Sequence, residues 1–293
     1  MKKIMALLLV LVAAFSCKQA KRETAEVEQT TVEEAKPEVK LYAFSGGTVN
    51  ANKLELFSQD TTYTGQSKEF ADAFYVIVHP KGTLMWDAGL PENLVGMDAP
   101  YTSPDGAFTV SRKDSVANQL ATIGMKPSDI NYIALSHTHF DHVGHANVFA
   151  GSTWLVQEKE YDFATSEENQ KNNADIYNAI KDLTKVKKIA NTDYDVFGDG
   201  TVVMKFMPGH TPGHQVLFVD LAEFGPLLLS GDMYHFYENR EYRRVPIFNY
   251  DVAQTKASMA AFEAFADEMG ATVYLQHSKE DFEKLPKAPN YLK

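Results

Sequence analysis

The segment Ser136-His-Thr-His-Phe-Asp-His142 places three histidines and one aspartate within seven positions. A buried core has little use for such a run, because each imidazole brings two polar nitrogens that need partners. A solvated face gains nothing from it either. Neutral imidazole and carboxylate are, however, the ordinary oxygen and nitrogen donors to Zn²⁺, and a catalytic zinc keeps one position open for water. Extended backbone projects alternate residues to one side, so His137 and His139 point together. The turn that follows presents Asp141 and His142 towards a second ion, about 3.5–4 Å away in two-metal centres. Two ions need more donors than this segment holds.

Working outward, short apolar runs flank the segment. Residues 132–135 (YIAL) form a strand that leads into it, and upstream 74–80 (FYVIVHP) and 82–89 (GTLMWDAG) read as two strands joined by a Pro-Lys-Gly turn. Val116, Leu120 and Ile123 recur at helical spacing before Gly124. Downstream, strands are expected at 152–157, 202–207, 215–221, 226–232 and 271–277, with a polar helical region over 158–183. The last helix has Asp251 as its cap, Gln254 three positions on, a face of Met259, Phe262, Ala266 and Met269, and Gly270 as its stop. Strands and helices alternate in two halves, which predicts sheet packed on sheet with helices outside, a layered α/β arrangement. His137, His210, Asp232 and His277 each follow an apolar strand, where loops converge on one cleft.

Composition narrows the function. With 293 residues, 44% apolar and 23% charged, the chain can bury one sizeable core. A net charge of -11 argues against nucleic acid as a partner, since phosphate binding relies on clustered Lys and Arg. The opening MKKIMALLLVLVAAFSC has a basic start and an apolar run too short to span a bilayer, so residues 1–16 read as a signal peptide. Ala-Phe-Ser-Cys17 resembles a loose lipoprotein cleavage box, with ordinary cleavage nearby as the other option. Either way an exported protein is expected: periplasmic, secreted, or lipid-anchored at Cys17 to the outer membrane. Residues 17–40 are polar enough to form a flexible tether, and 41–293 form the domain. A single cysteine permits no internal disulfide.

HTHFDH (137–142), PGHTPGH (208–214), SGD (230–232) and LQH (275–277) together resemble the metallo-β-lactamase superfamily. GDMYHFYENR and ATVYLQHSKEDFEKLPKAPNYL are most similar to the N-acyl-homoserine lactonases within it. The resemblance implies a four-layer αββα sandwich holding two divalent metal ions. Zinc is the first choice, and manganese, iron and cobalt suit the same donors. It further implies that His137, His139 and His210 hold one ion, that Asp141, His142 and His277 hold the other, and that Asp232 bridges them. The implied reaction is opening of the lactone ring of a small-molecule acyl-homoserine lactone by a metal-bridging hydroxide, with Asp141 or water as the proton relay. No protein partner is evident. A glyoxalase II-like thioesterase is the main rival, with Arg240, Arg243 and Arg244 as its anion holders, and a non-catalytic metal-binding surface lipoprotein is a third reading. Lactamases that use a cysteine ligand are disfavoured, because Cys17 lies in the leader.

One departure from the lactonase pattern concerns the substrate-facing tyrosine, which the resemblance places three residues after the bridging aspartate. Here Tyr234 stands at plus two and His235 at plus three. Tyr234 is the expected substrate contact, with His235 and Tyr237 as alternatives. Asp87 is expected either to support a ligand or to cap a turn. His214 is expected behind the site, while His79 and His145 carry no ligand role. Met85, Trp86 and the loop 91–108 are apolar groups near the expected cleft mouth.

Overall fold

The computed structural model describes residues 36–293. The expected leader, Cys17 and most of the tether lie outside the described residues. Strand β1 (Lys40–Ala51) pairs antiparallel with β2 (Lys68–His79), and β3 (Gly82–Trp86) returns along β2. After β4 (Tyr101–Thr102) and β5 (Phe108–Ser111) come helix α1 (Val116–Ala121), β6 (Tyr132–Ala134), the short α2 (Phe140–Val143) and β7 (Thr153–Gln157). Helices α3 (Glu158–Ala164), α4 (Glu167–Asn172) and α5 (Ala174–Ile180) then lead to β8 (Val186–Ile189). These eight strands form one sheet in the order β4-β5-β1-β2-β3-β6-β7-β8.

The second sheet has the order β13-β12-β11-β10-β9. Its members are β9 (Tyr194–Asp195), β10 (Val202–Phe206), β11 (Gln215–Leu221), β12 (Gly225–Leu229) and β13 (Thr272–Tyr274). Helices α6 (Tyr237–Tyr242) and α7 (Val252–Met269) lie between β12 and β13 in the chain, and α8 (Lys279–Lys284) follows.

Side-chain alternation assembles the layers. In β2, Ala73, Tyr75 and Ile77 face the second sheet and meet Leu217, Val219, Leu227 and Leu229 in the central core. Phe74 and Val76 face the other way, onto Val116, Leu120 and Ile180 of the outer helices. The second sheet does the same: Val216, Phe218 and Leu228 pack outward against Met259, Phe262 and Ala266 of α7. Strands buried on both faces read as continuous apolar runs rather than alternating ones. The result is helix, sheet, sheet, helix: the four-layer αββα sandwich.

The expected elements appear with shorter ends. The 82–89 strand stops at Trp86 because Asp87 takes a left-handed conformation (φ 60°), and the 226–232 strand stops at Leu229 before a tight turn at Gly231–Met233. The polar helical region expected over 158–183 consists of three helices, since Ser166 caps a new one and Asn173 breaks the next. Asp251 caps α7 by accepting from the Gln254 N–H at 2.9 Å. Gly270 (φ 59°) then turns the chain directly into β13, leaving Met269 exposed past the last buried turn. Met85 and Trp86 are fully buried, one on each face of the first sheet, so they are core and not cleft wall.

Candidate metal centre

Five strands deliver their C-terminal ends to one edge of the sandwich. Asp87 follows β3, the histidine segment follows β6, His210 follows β10, Asp232 follows β12 and His277 follows β13. All seven side chains expected as ligands come together there. His137, His139, His210 and Asp232 form one group and Asp141, His142 and His277 another, each with its donor atoms within 4.8 Å of one another.

Asp232 stands between the groups and divides its two oxygens. Oδ2 lies 3.5 Å from His137 Nε2 and 3.3 Å from His210 Nε2, while Oδ1 lies 3.2 Å from His142 Nε2 and 3.0 Å from His277 Nε2. Asp141 flanks the second group, 3.8 Å from His142 Nε2 and 3.7 Å from His277 Nε2. His139 turns Nδ1 inward, 3.1 Å from His210 Nε2. A tetrahedral ion with bonds of about 2.0–2.1 Å has donor–donor edges of about 3.3 Å. The spacing fits that edge. Among the described residues, His137 Nε2, His142 Nε2 and Asp232 Oδ1 are also buried without a hydrogen-bond partner. Buried polar atoms seldom stay unpaired, and here they aim at common points, so the donor set fits a pair of cations.

Three of the five ligand rings have their outward-facing nitrogen held by an acceptor. His277 Nδ1–H donates to the Ala71 carbonyl at 2.9 Å, and His142 Nδ1–H donates to Asp87 Oδ2 at 3.1 Å. Asp87 also accepts from the Ser136 N–H at 2.6 Å, so this buried aspartate supports the centre and does more than shape a turn. His210 Nδ1–H faces Asn249 Oδ1 at 3.3 Å, and the Asn249 amide donates to the Gly209 carbonyl and Thr255 Oγ1. These obligate acceptors fix the tautomers and leave Nε2 free to point inward. His214 sits behind: Nδ1–H donates to the Met207 carbonyl and Nε2 accepts from the Asp232 N–H at 3.0 Å. Gly231 (φ 49°) is required there, because a Cβ would fall 2.8 Å from His214 Nε2.

Charge divides the centre. Burial holds His137 and His139 well below the usual histidine range, aided by neighbouring imidazoles. Burial acts the same way on His142, but the carboxylates of Asp232, Asp87 and Asp141 outweigh it and raise that ring well above the usual range. His277, also buried, is pushed up to about 9, chiefly by Asp232. Burial alone would raise Asp232, yet the surrounding imidazoles, His277 first, hold it well below the usual carboxylate range. Burial, reinforced by Asp141, pushes Asp72 behind the second group up to about 7.

The expectation for Tyr234 is corrected. Its side chain is buried in the outer core, 5.7 Å edge-on from Phe262, with its phenol on the side of Glu263 and Arg240. The turn at Gly231–Met233 rotates plus two outward and plus three inward. His235 Nε2 therefore lies 3.1 Å from Asp232 Oδ2, and its ring is stacked on His277 at 5.7 Å and edge-on to Phe57 at 4.8 Å. Tyr237 is engaged elsewhere, donating to Asp281 at 2.8 Å. His79 and His145 stand outside both donor groups. Of the three arginines, Arg240 is paired with both oxygens of Glu263, and Arg244 donates to the Tyr63 hydroxyl while lying over the Tyr242 ring.

Sequence reading missed Ser136, Asn249, Glu160 and the rings that wall the opening. Phe248, 41% exposed, stands 6.0–6.3 Å from the His139, His210 and His235 rings, and Phe57 lies 5.4 Å from it. The usable signal for Phe248 was the unbroken apolar Val245-Pro-Ile-Phe248 in a loop with no helical or strand period. Asn249 and Glu160 gave none, because polar residues in loops and polar helices are ordinary surface.

Fold and donor set define a class. The profile of the metallo-β-lactamase superfamily matches residues 70–277, and the chain belongs to that superfamily. Within it, the chain is similar to the N-acyl homoserine lactonase AttM of Azorhizobium caulinodans, with 29% identity over 267 residues, 87% of this chain and 98% of the relative. It is also similar to the N-acyl homoserine lactonase AiiA of Bacillus thuringiensis subsp. kurstaki, with 28% identity over 222 residues, 74% of this chain and 85% of the relative. Among solved structures, it matches an N-acyl homoserine lactone hydrolase with the product N-hexanoyl-L-homoserine bound at the catalytic metal center. That match has a TM-score of 0.71 and 26% identity, and covers 86% of this chain and 98% of the other.

Proposed function

We propose that the chain is a dinuclear-metal hydrolase that opens the lactone ring of N-acyl-homoserine lactones, with zinc as its metal. The observation that carries this reading is the division of the Asp232 carboxylate, one oxygen towards each group of imidazoles at 3.0–3.5 Å. His137, His139 and His210 would hold one cation and Asp141, His142 and His277 the other, with Asp232 shared. Cations held there would lower the pKa of a bound water towards neutrality and polarise an ester carbonyl. The similarity to lactonases supports the substrate class.

The chain's own groups supply the rest. Asp141 takes the proton released as water adds to the carbonyl carbon and passes it to the ring oxygen as the C–O bond breaks, giving an alcohol and a carboxylic acid that loses its own proton to solvent. His235 replaces Tyr234 as the hydrogen-bond donor beside the reacting carbonyl, where a positioned donor has most effect. The Phe57 and Phe248 rings cover the imidazoles, exclude water and offer an apolar wall to an acyl chain. Two of the three arginines that a thioesterase would need for an anionic carrier are already committed. The leader-like residues 1–16 support export, which cell fractionation of the tagged full chain tests.

The direct experiment is turnover by the purified, zinc-loaded protein of acyl-homoserine lactones of several chain lengths beside a glutathione thioester. The lactones are expected to be the faster substrates by at least about tenfold. Faster thioester cleavage would overturn the reading in favour of the thioesterase, and bound zinc with neither activity would favour a binding protein.

A further inference from the structure

Glu160, in the first turn of α3, is 2% exposed, yet it belongs to no donor group. Its Oε1 accepts from the Thr138 N–H and the Thr138 hydroxyl, both at 2.7 Å. Its Oε2 accepts from the Thr211 hydroxyl at 2.7 Å and the Gly213 N–H at 2.9 Å. Thr138 lies between His137 and His139, while Thr211 adjoins His210. One buried carboxylate thus ties together the two loops that supply every histidine of the first group. Packing leaves no slack: a Cβ on Gly213 would fall 2.4 Å from Glu160 Cβ. The second group is braced by other atoms, the Asp87 carboxylate and the Ala71 carbonyl.

We propose that Glu160 is a positioning residue that sets the separation of the two first-group loops, and so governs retention of the cation there independently of the cation in the second group. The proposal rests on the two-cation reading above. Two charge-assisted bonds to backbone N–H groups are the part that no neutral side chain reproduces. In Glu160→Gln the amide nitrogen must face either the Thr138 or the Gly213 N–H. Threonine hydroxyls can rotate to accept, but a backbone N–H cannot.

The test uses the full chain loaded with zinc and challenged with excess chelator while zinc release is followed with a chromogenic indicator. Wild type is expected to hold two equivalents. Glu160→Gln should release one of them about 10–100-fold faster, the range found for groups that orient metal ligands, and the other within about twofold of wild type. In a His277→Ala background, which keeps the first-group donors, the acceleration should fall on the equivalent that remains. Thr211→Val removes one hydroxyl donor and keeps the shape, so it should show a smaller change in the same direction even if Glu160→Gln does not fold. Wild-type release rates from both equivalents, or equal acceleration of both, would overturn the role of Glu160 while leaving the two-cation reading intact. Wild type that takes up no zinc would overturn that reading itself, and this proposal with it.

Discussion

At the turn end of β3 and β10, His79 Nε2 lies 3.1 Å from Asp199; at the other end of the same strands, His142 Nε2 lies 3.2 Å from Asp232. The pairs are alike in residue type and distance and unlike in company. Asp199 receives the Lys81 ammonium at 2.9 Å and the Thr201 hydroxyl at 2.7 Å, and the His79 ring is stacked on Phe197 at 4.2 Å. A local cation balances the carboxylate, and among the described residues no donor group forms around this pair. At the opposite end, among the described residues, Asp232 and Asp141 pair only with histidines and with no lysine or arginine, and five imidazoles and two carboxylates aim at two points. A histidine beside an aspartate is a structural pair when a fixed cation answers it, and a site when the answering charge must come from solution.

The largest effect that can break this comparison comes from the two aspartates. Asp232→Ala removes the only carboxylate among the described residues that faces both groups, and should abolish binding of both zinc equivalents and lower lactone turnover by on the order of 10³-fold or more. Asp199→Ala should leave metal content and turnover within about twofold of wild type. Elemental analysis and initial rates on the two purified variants decide it. Equal losses would mean that the distinction between the ends is false.

Next in size is His235→Phe, which keeps a ring between His277 and Phe57 but removes both nitrogens. The expected outcome is a fall in kcat of about 10²–10³-fold, as for loss of one positioned donor, with two equivalents of zinc retained. Loss of metal instead would make His235 a ligand in function and redraw the boundary of the centre.

The same contrast explains what could be read from the sequence. The donor types at the ligand end were legible because histidine is costly to bury without purpose and each donor directly follows an apolar run. The layering was legible from runs such as Phe74-Tyr-Val-Ile-Val78. The strand Lys40–Ala51 was not, because Gly46, Gly47 and its polar residues dilute the apolar signal, and its register with β2 is set by partners far away in the chain. The orientation of residues 234 and 235 was not legible either. It depends on one left-handed glycine, Gly231, whose turn decides which neighbour faces the centre. Supporting groups such as Glu160 and Asn249 act through contacts across tens of residues, and nothing local marks them.

Titration sharpens the contrast further. Asp199 is held at about 2: burial alone would raise it, but the Thr201 hydroxyl and Lys81 more than offset this. A depressed carboxylate contributes stability that is fully present above its unfolded value of about 3.8 and is lost as pH falls through about 2. Asp199→Asn should therefore lower unfolding stability by about 1–2 kcal/mol at pH 7, after allowance for solvent screening. The deficit should shrink below pH 4, measured by urea denaturation of both proteins with zinc removed. A constant deficit across that range would assign the loss to packing instead of charge.

The smallest expected effect belongs to Tyr234→Phe. The phenol is buried and has no hydrogen-bond partner of good geometry among the described residues, and its ring packs on Phe262 away from the imidazoles. Removing an unpaired buried hydroxyl while keeping the ring leaves packing unchanged and relieves a desolvated group, so stability should move by less than about 1 kcal/mol. Lactone turnover should stay within about twofold of wild type. Beside His235→Phe, this asks which of two adjacent side chains the Gly231 turn delivers to the substrate. A large loss of kcat in Tyr234→Phe with His235→Phe nearly silent would show that the turn rotates during catalysis, bringing the tyrosine in from the core.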